Sequence, residues 1–240
     1  MMERPLIDPI LEYNLSTVNE NIADACAKSG RSTDGVRLLA VTKTVSSDRI
    51  NQAIALGAKL IGENRVQEFL GKKDSLCLDA VKTHLIGHLQ TNKVRQIVGQ
   101  VDMIQSVDSE RLAAAISRVS VERNIVTPVL IEVNIGGEEA KSGVSPEELI
   151  GLLENIHEFP GIRVQGLMTV PPILTKESEK RAIFSKMYQL FVDIRAKKLD
   201  NIDMLELSMG MSGDYVEAIL EGSTIVRVGS AIFGERQYTK

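Results

Sequence analysis

The sequence predicts an α/β fold, a single (β/α)8 barrel with one extra helix ahead of its first strand. Three observations predict it. Short apolar, β-branched runs alternate strictly with longer amphipathic stretches, which implies a parallel sheet. Eight such units fit into 240 residues, the usual size of a closed barrel. Runs such as Leu38-Leu39-Ala40-Val41 and Val129-Leu130-Ile131 are apolar without alternation, as expected of strands covered on both faces.

In chain order, a helix over about Pro9–Lys28 comes first. Strands are then predicted at Arg37–Lys43, Lys59–Gly62, Thr83–Gly87, Met103–Val107, Pro128–Asn134, Arg163–Val170, Asp203–Ser208 and Thr224–Val228. Between them, apolar residues recur at three- and four-residue spacing near Ser47–Leu56, Arg65–Leu78, Asn92–Val98, Ser109–Arg123, Pro146–Glu158, Lys176–Lys198 and Tyr215–Leu220. The structural rival is an open doubly wound sheet. That fold would begin with a strand and a glycine-rich turn, whereas the first strand here ends in Thr42-Lys43-Thr44. With no internal repeat, low-complexity segment or linker, residues 1–240 are expected to form one domain.

Composition narrows the function classes. Two cysteines, Cys26 and Cys77, make no disulfide framework and suit a reducing compartment. The start, Met1-Met2-Glu3-Arg4-Pro5, is polar and unlike a secretory signal. No apolar run approaches the roughly 18 residues that span a bilayer. A cytoplasmic protein is therefore expected, without a membrane partner. A net charge of −4, scattered basic residues and 4% aromatics argue against nucleic acid. No G-x-x-x-x-G-K-[ST] loop or H-E-x-x-H helix occurs, so triphosphate and zinc-protease chemistry has no support, and no metal site is expected.

Barrel active sites lie at the C-terminal ends of the strands. Lys43 ends the buried run Leu38–Val41. On position alone it is either a solvated charge or a Schiff-base lysine. The second role needs the neutral amine, about 0.1% of an unperturbed lysine at pH 7.4, so burial or a nearby cation must help. After the seventh strand comes Ser208-Met209-Gly210-Met211-Ser212-Gly213, with Ser212 a candidate N-cap for the helix at Tyr215–Leu220. After the eighth strand, Gly229-Ser230 opens the short segment Ala231–Gly234. Singly each loop reads as a plain turn and cap; together they occupy the two loops where such barrels bind phosphate. Arg227, flanked by Val226 and Val228, must find a polar partner. That partner is either an acid such as Glu206 or the ring nitrogen of a pyridine cofactor. Asn64, at the end of the second strand, suits helix capping. His84 and His88 make no metal pair, and Met168, Met209 and Met211 read as packing residues.

These residues together resemble the pyridoxal phosphate homeostasis protein family, whose barrel is similar to the N-terminal domain of alanine racemase. The resemblance runs from about residue 8 to 236. It is carried by LLAVTKT around Lys43, IGENRVQE at 61–68, HLIGHLQTNK at 84–93, KSGVSPEE at 141–148 and GLMTVPP at 166–172. Above all it rests on LSMGMSGDYVEAI with GSTIVRVGSAIFG. The resemblance implies pyridoxal 5′-phosphate as cofactor, bound to Lys43 as a Schiff base. It also implies phosphate contacts from Ser212 and the backbone of Gly229 and Ser230. Arg227 would meet the pyridine nitrogen, and Asn64 would line the ring.

Alanine racemase-like enzymes carry a second, β-rich domain that donates a catalytic tyrosine across a dimer interface. Ending at Lys240, the chain is expected to lack it. Inverting a substrate carbon needs two placed acid–base groups, and the resemblance offers only Lys43. An arginine at the ring nitrogen also disfavours its protonation, making the cofactor a poor electron sink. The expected function is therefore cofactor homeostasis by a monomer: sequestering the cofactor and supplying it to apoenzymes, without robust catalysis and with no catalytic residue assigned. A single-domain racemase using Tyr215 or His84 is the alternative, and a cofactor-free class I aldolase using Lys43 is a third reading.

Overall fold

In the computed structural model, residues 7–138 and 141–235 are described. The polar opening Met1–Pro5 and the last matched position, residue 236, lie outside them. Eight parallel strands close into a barrel in chain order. They are β1 Arg37–Val41, β2 Leu60–Glu63, β3 Lys82–Leu85, β4 Met103–Val107, β5 Thr127–Glu132, β6 Ile162–Met168, β7 Ile202–Met211 and β8 Ile225–Val228. Closure is made at β1, where Ala40 pairs with Ile61 on one side and Val228 on the other. The helices are α1 Pro9–Lys28, α2 Ser47–Ala55, α3 Val66–Lys72, α4 Val94–Ile97, α5 Glu110–Glu122, α6 Leu149–Ile156, α7 Glu177–Lys197, α8 Tyr215–Leu220 and α9 Ser230–Phe233.

The added helix α1 has clear local causes. The Asp8 carboxylate accepts from the Ile10 N–H, and Pro9 fits the first turn, where a missing N–H costs nothing. Leu11, Leu15, Val18, Ile22 and Cys26 then recur at helical spacing and are buried. This stripe packs with Tyr215, Ile219, Val226, Val228, Ile232 and Phe233, so α1 holds the elements that follow β7 and β8. Polar clamps reinforce it: Asn14 donates to the Ile232 carbonyl (3.1 Å), Asn21 to the Tyr215 hydroxyl (2.9 Å) and Arg31 to the Ile219 carbonyl (3.0 Å).

Several element ends differ from those expected, β1 for example stopping at Val41 and not Lys43. The helix expected over Arg65–Leu78 stops at Lys72 and passes through a 3-10 turn, Lys73–Ser75. That over Pro146–Glu158 starts only at Leu149, because the Ser145 hydroxyl bonds the Glu148 carboxylate and accepts its N–H, forming a turn first. Strand β7 runs on to Met211 because a register shift pairs Met211 with Arg227. Gly210 sits in this extension at φ +92°, and a Cβ there would lie 2.5 Å from that of Ala218. Only glycine lets β7 approach α8 so closely.

Period two survives inside strands buried on both faces. On β1 and β8, Ala40, Val226 and Val228 face the helices, whereas Leu39, Val41 and Ile225 join Leu60 and Ile86 in a cluster without helix residues. Met103, Leu130 and Met168 form a second such cluster. Polar side chains are buried in these strands as well: His84, Gln105, Ser208 and Arg227.

Burial drives the His84 pKa down to about 3, so the folded protein keeps this ring neutral. An unfolded histidine protonates near 6.5, so below that pH the unfolded state binds the extra proton and stability is lost. Glu132, raised to about 7 chiefly by burial and then by Asp108, acts in the opposite sense. The His84 effect must therefore be read as a difference. In urea unfolding across pH, the stability of wild type minus that of His84→Gln should fall below about pH 6.5 with the slope of one proton. A flat difference would contradict a neutral buried ring.

Candidate functional site

Lys43, Asn64, Ser212, Arg227, Gly229 and Ser230 come from the ends of β1, β2, β7 and β8, and all six line one cavity of about 300 Å³. Val41, Ile86, Val170 and Met211 supply apolar wall. A second cavity of about 450 Å³ shares Lys43, Gly229 and Ser230 and continues towards Arg49 and Phe233.

The backbone around Lys43 is fixed from α3. The Lys72 ammonium donates to the carbonyls of Thr42 (2.9 Å) and Val45 (3.3 Å), on either side of Lys43. It also pairs with Glu63 (2.5 Å) and Glu68 (3.1 Å). Glu68 accepts from the N–H of Thr44, a non-glycine residue held at φ +64°. Glu63 is buried, and burial raises its pKa even though Lys72 and Thr42 hydrogen-bond it. Sequence reasoning missed this brace, although an acid in a strand buried on both faces and the i,i+4 pair Glu68/Lys72 both signalled it.

Ser212 is not the cap expected of it. Asp214 occupies the N-cap position of α8 and accepts from the Met211 N–H (2.6 Å). The Ser212 hydroxyl instead crosses to the next loop and accepts from Gly229 N (3.1 Å) and Ala231 N (3.3 Å). Two loops thus converge on one hydroxyl and two backbone donors. Gly229 packs closely there: a Cβ would lie 3.3 Å from that of Val41, which would have to give by a few tenths of an ångström. Helix capping fails for Asn64 too. The N-cap of α3 is Arg65, without a side-chain bond, and Asn64 Oδ1 is buried with no hydrogen-bond partner in the structure. Asn64 is seated by Gly87, where a Cβ would strike its carbonyl oxygen at 2.3 Å.

Arg227 does not pair with Glu206, which binds Arg37 (2.6 Å) instead. Its guanidinium donates to Ser208 Oγ (2.7 Å) and to the Thr169 carbonyl (2.7 Å). Burial lowers its pKa to about 10, against the pull of Glu132 and Asp214, so it is charged at neutral pH. The other candidates lie apart from the cavity lining. His84 is inside the barrel, bonded through Nδ1 to Gln105 (2.7 Å). Tyr215 is taken up by Asn21 at the α1–α8 contact. His88 is exposed, 3.5 Å from Asp108. Among the described residues, no group of three or more His, Cys, Asp or Glu could hold a metal ion, and no helix is long and apolar enough to cross a membrane.

The donor set fits pyridoxal phosphate. An orphaned buried acceptor, Asn64 Oδ1, suits a ligand hydroxyl, and the paired N–H groups at Ser212 suit a phosphate. A buried cation suits a ring nitrogen and a lysine suits an aldehyde. The cavity volume lies within the range of small-molecule sites.

Comparison with known proteins agrees. The family model for the alanine racemase N-terminal domain matches residues 13–237. The pyridoxal phosphate homeostasis protein of Aquifex aeolicus is 46% identical over 224 residues, covering 93% of this chain and 97% of that protein. Its counterpart from Vibrio cholerae is 38% identical over 237 residues, with 96% and 98% covered. PipY of Synechococcus elongatus, solved with PLP bound, superimposes with a TM-score of 0.78 at 32% identity, over 89% of this chain and all of that one. By barrel, motif and near full-length identity, the chain belongs to the pyridoxal phosphate homeostasis protein family, on the alanine racemase N-terminal-domain fold.

Proposed function

We propose that this chain is a cytoplasmic, single-domain pyridoxal phosphate carrier that holds the cofactor on Lys43 and gives it up to apoenzymes. The observation that carries the reading is the convergence of Lys43, Arg227, the orphaned Asn64 oxygen and the Ser212–Gly229 loops on one cavity. When bound, the cofactor supplies an aldehyde that condenses reversibly with a primary amine. Everything else is done by the chain. Lys72 and Glu68 fix the backbone on both sides of Lys43, so its amine is presented from a rigid strand end. Ser212 and the N–H groups of Gly229 and Ala231 bind the phosphate, and Asn64 accepts from the ring hydroxyl. Val41, Ile86, Val170 and Met211 keep water from the ring face. Arg227, a fixed cation and obligate donor, keeps the ring nitrogen unprotonated and so restrains carbanion chemistry. The racemase alternative needs a second acid–base group at the cavity. His84 and Tyr215, its two candidates, are outside the lining, and both are engaged elsewhere.

Protein incubated with pyridoxal phosphate should turn yellow, and borohydride should abolish the band and leave a reduced adduct on Lys43. Lys43→Ala should lose covalent binding with its circular dichroism unchanged. An adduct elsewhere refutes the assignment.

Ser212→Ala removes a hydrogen bond to a charged group and should weaken pyridoxal phosphate about tenfold, with unphosphorylated pyridoxal nearly unaffected. Equal losses for both ligands would move the phosphate to another part of the cavity.

Cofactor-loaded protein should restore activity to a pyridoxal phosphate-dependent apoenzyme. Incubated with L-alanine in deuterium oxide, it should show at most slow Cα exchange without inversion. Rapid exchange with inversion, lost in Lys43→Ala, would make it a racemase instead.

A further inference from the structure

Three hydrogen bonds cross the barrel interior from Arg227 on β8 to His84 on β3. Arg227 Nη1 donates to Ser208 Oγ, Ser208 Oγ donates to Gln105 Oε1, and Gln105 Nε2 meets His84 Nδ1, each at 2.7 Å. All four residues are at most 3% exposed. We propose that Ser208, Gln105 and His84 are positioning residues: a relay that fixes the Arg227 guanidinium against the pyridine nitrogen of the bound cofactor. The inference rests on the carrier reading and names what holds its arginine in place.

The relay has one consistent direction. Arginine only donates, so Ser208 must accept from it, and in the structure the serine hydroxyl donates to Gln105 Oε1. That fixes the amide with its oxygen towards Ser208 and its NH2 towards His84. An amide nitrogen only donates, so His84 Nδ1 must accept and its proton must sit on Nε2. A protonated imidazole would turn a second donor on the amide and break the chain, and burial keeps the ring neutral. Thr169 fixes the other arm of the guanidinium through its carbonyl at 2.7 Å. Arg227 is thereby anchored at two nitrogens from β6, β7 and, through Ser208, from β4 and β3. An arginine on a flexible stem loses entropy when it binds, and this one has lost it in advance.

Three otherwise puzzling residues then have a use. Ser208, Gln105 and His84 are polar side chains inside a barrel whose neighbouring interior positions, Met103, Leu130 and Met168, are apolar. None of the three lines the cavity, so they act only through Arg227.

The test uses the full chain loaded with pyridoxal phosphate labelled with 15N in its ring. The ring-nitrogen chemical shift reports protonation and hydrogen bonding, which a merely structural role would leave alone. Wild type should show an unprotonated, hydrogen-bonded nitrogen. Ser208→Ala and Gln105→Leu should shift that resonance and weaken the cofactor about tenfold, and Ser208→Thr, which keeps the hydroxyl, should restore both. Shifts identical to wild type in both variants, with cofactor still on Lys43, would overturn the relay and leave the carrier reading standing. Failure of wild type to attach the cofactor to Lys43 would overturn both. Should the variants not fold, 15N spectra of the wild-type histidines decide: a His84 proton on Nδ1, or titration near pH 6, refutes the relay.

Discussion

A guanidinium buried inside a barrel has to be solvated by the barrel, and much of this interior is arranged to do so. An unpaired buried charge costs far more than one hydrogen bond returns, so partners must stand ready on several strands. Arg227 has Ser208 on β7 and the carbonyl of Thr169 just beyond β6 as direct partners, with Glu132 and Asp214 supplying negative field. No single residue neutralises it. Dividing the compensation among dipoles and more distant carboxylates leaves the cation intact and its position fixed. Glu206, two residues before Ser208 on β7, is instead held by Arg37.

The fold was largely legible because its signal is repetitive. Eight strands in the right order followed from apolar runs alternating with helical spacing, and Met103–Val107, Pro9–Lys28 and Tyr215–Leu220 have the expected ends. Two ends moved where a side chain or a bulge intervened: Ser145 before α6 and the Met211–Arg227 pairing in β7. A window of hydropathy carries no trace of such contacts.

The six candidate residues that share one cavity were legible in the sequence, and what supports them was not. Lys43, Asn64 and the two glycine–serine loops stand at strand ends, where the barrel rule directs attention. Gln105 and Ser208 are polar letters within largely apolar strands, and their meaning depends on which strands face across the interior. The same limit explains the misread caps. Ser212 and Asp214 are both good capping residues two positions apart. Only the path of the loop shows that the Asp214 carboxylate turns back to the Met211 N–H and the Ser212 hydroxyl crosses to the start of α9.

That crossing serine has a consequence for the proposed carrier role. The Ser212 hydroxyl satisfies the N–H groups of Gly229 and Ala231 by itself. On the proposed reading, a phosphate arriving there would take over donors now held by the Ser212 hydroxyl, and one departing would return them to it. Neither event would leave these amides without an acceptor. The loop behaves as a built-in placeholder. Tight binding of the phosphate can then coexist with ready exchange, because the donors change partners instead of losing them.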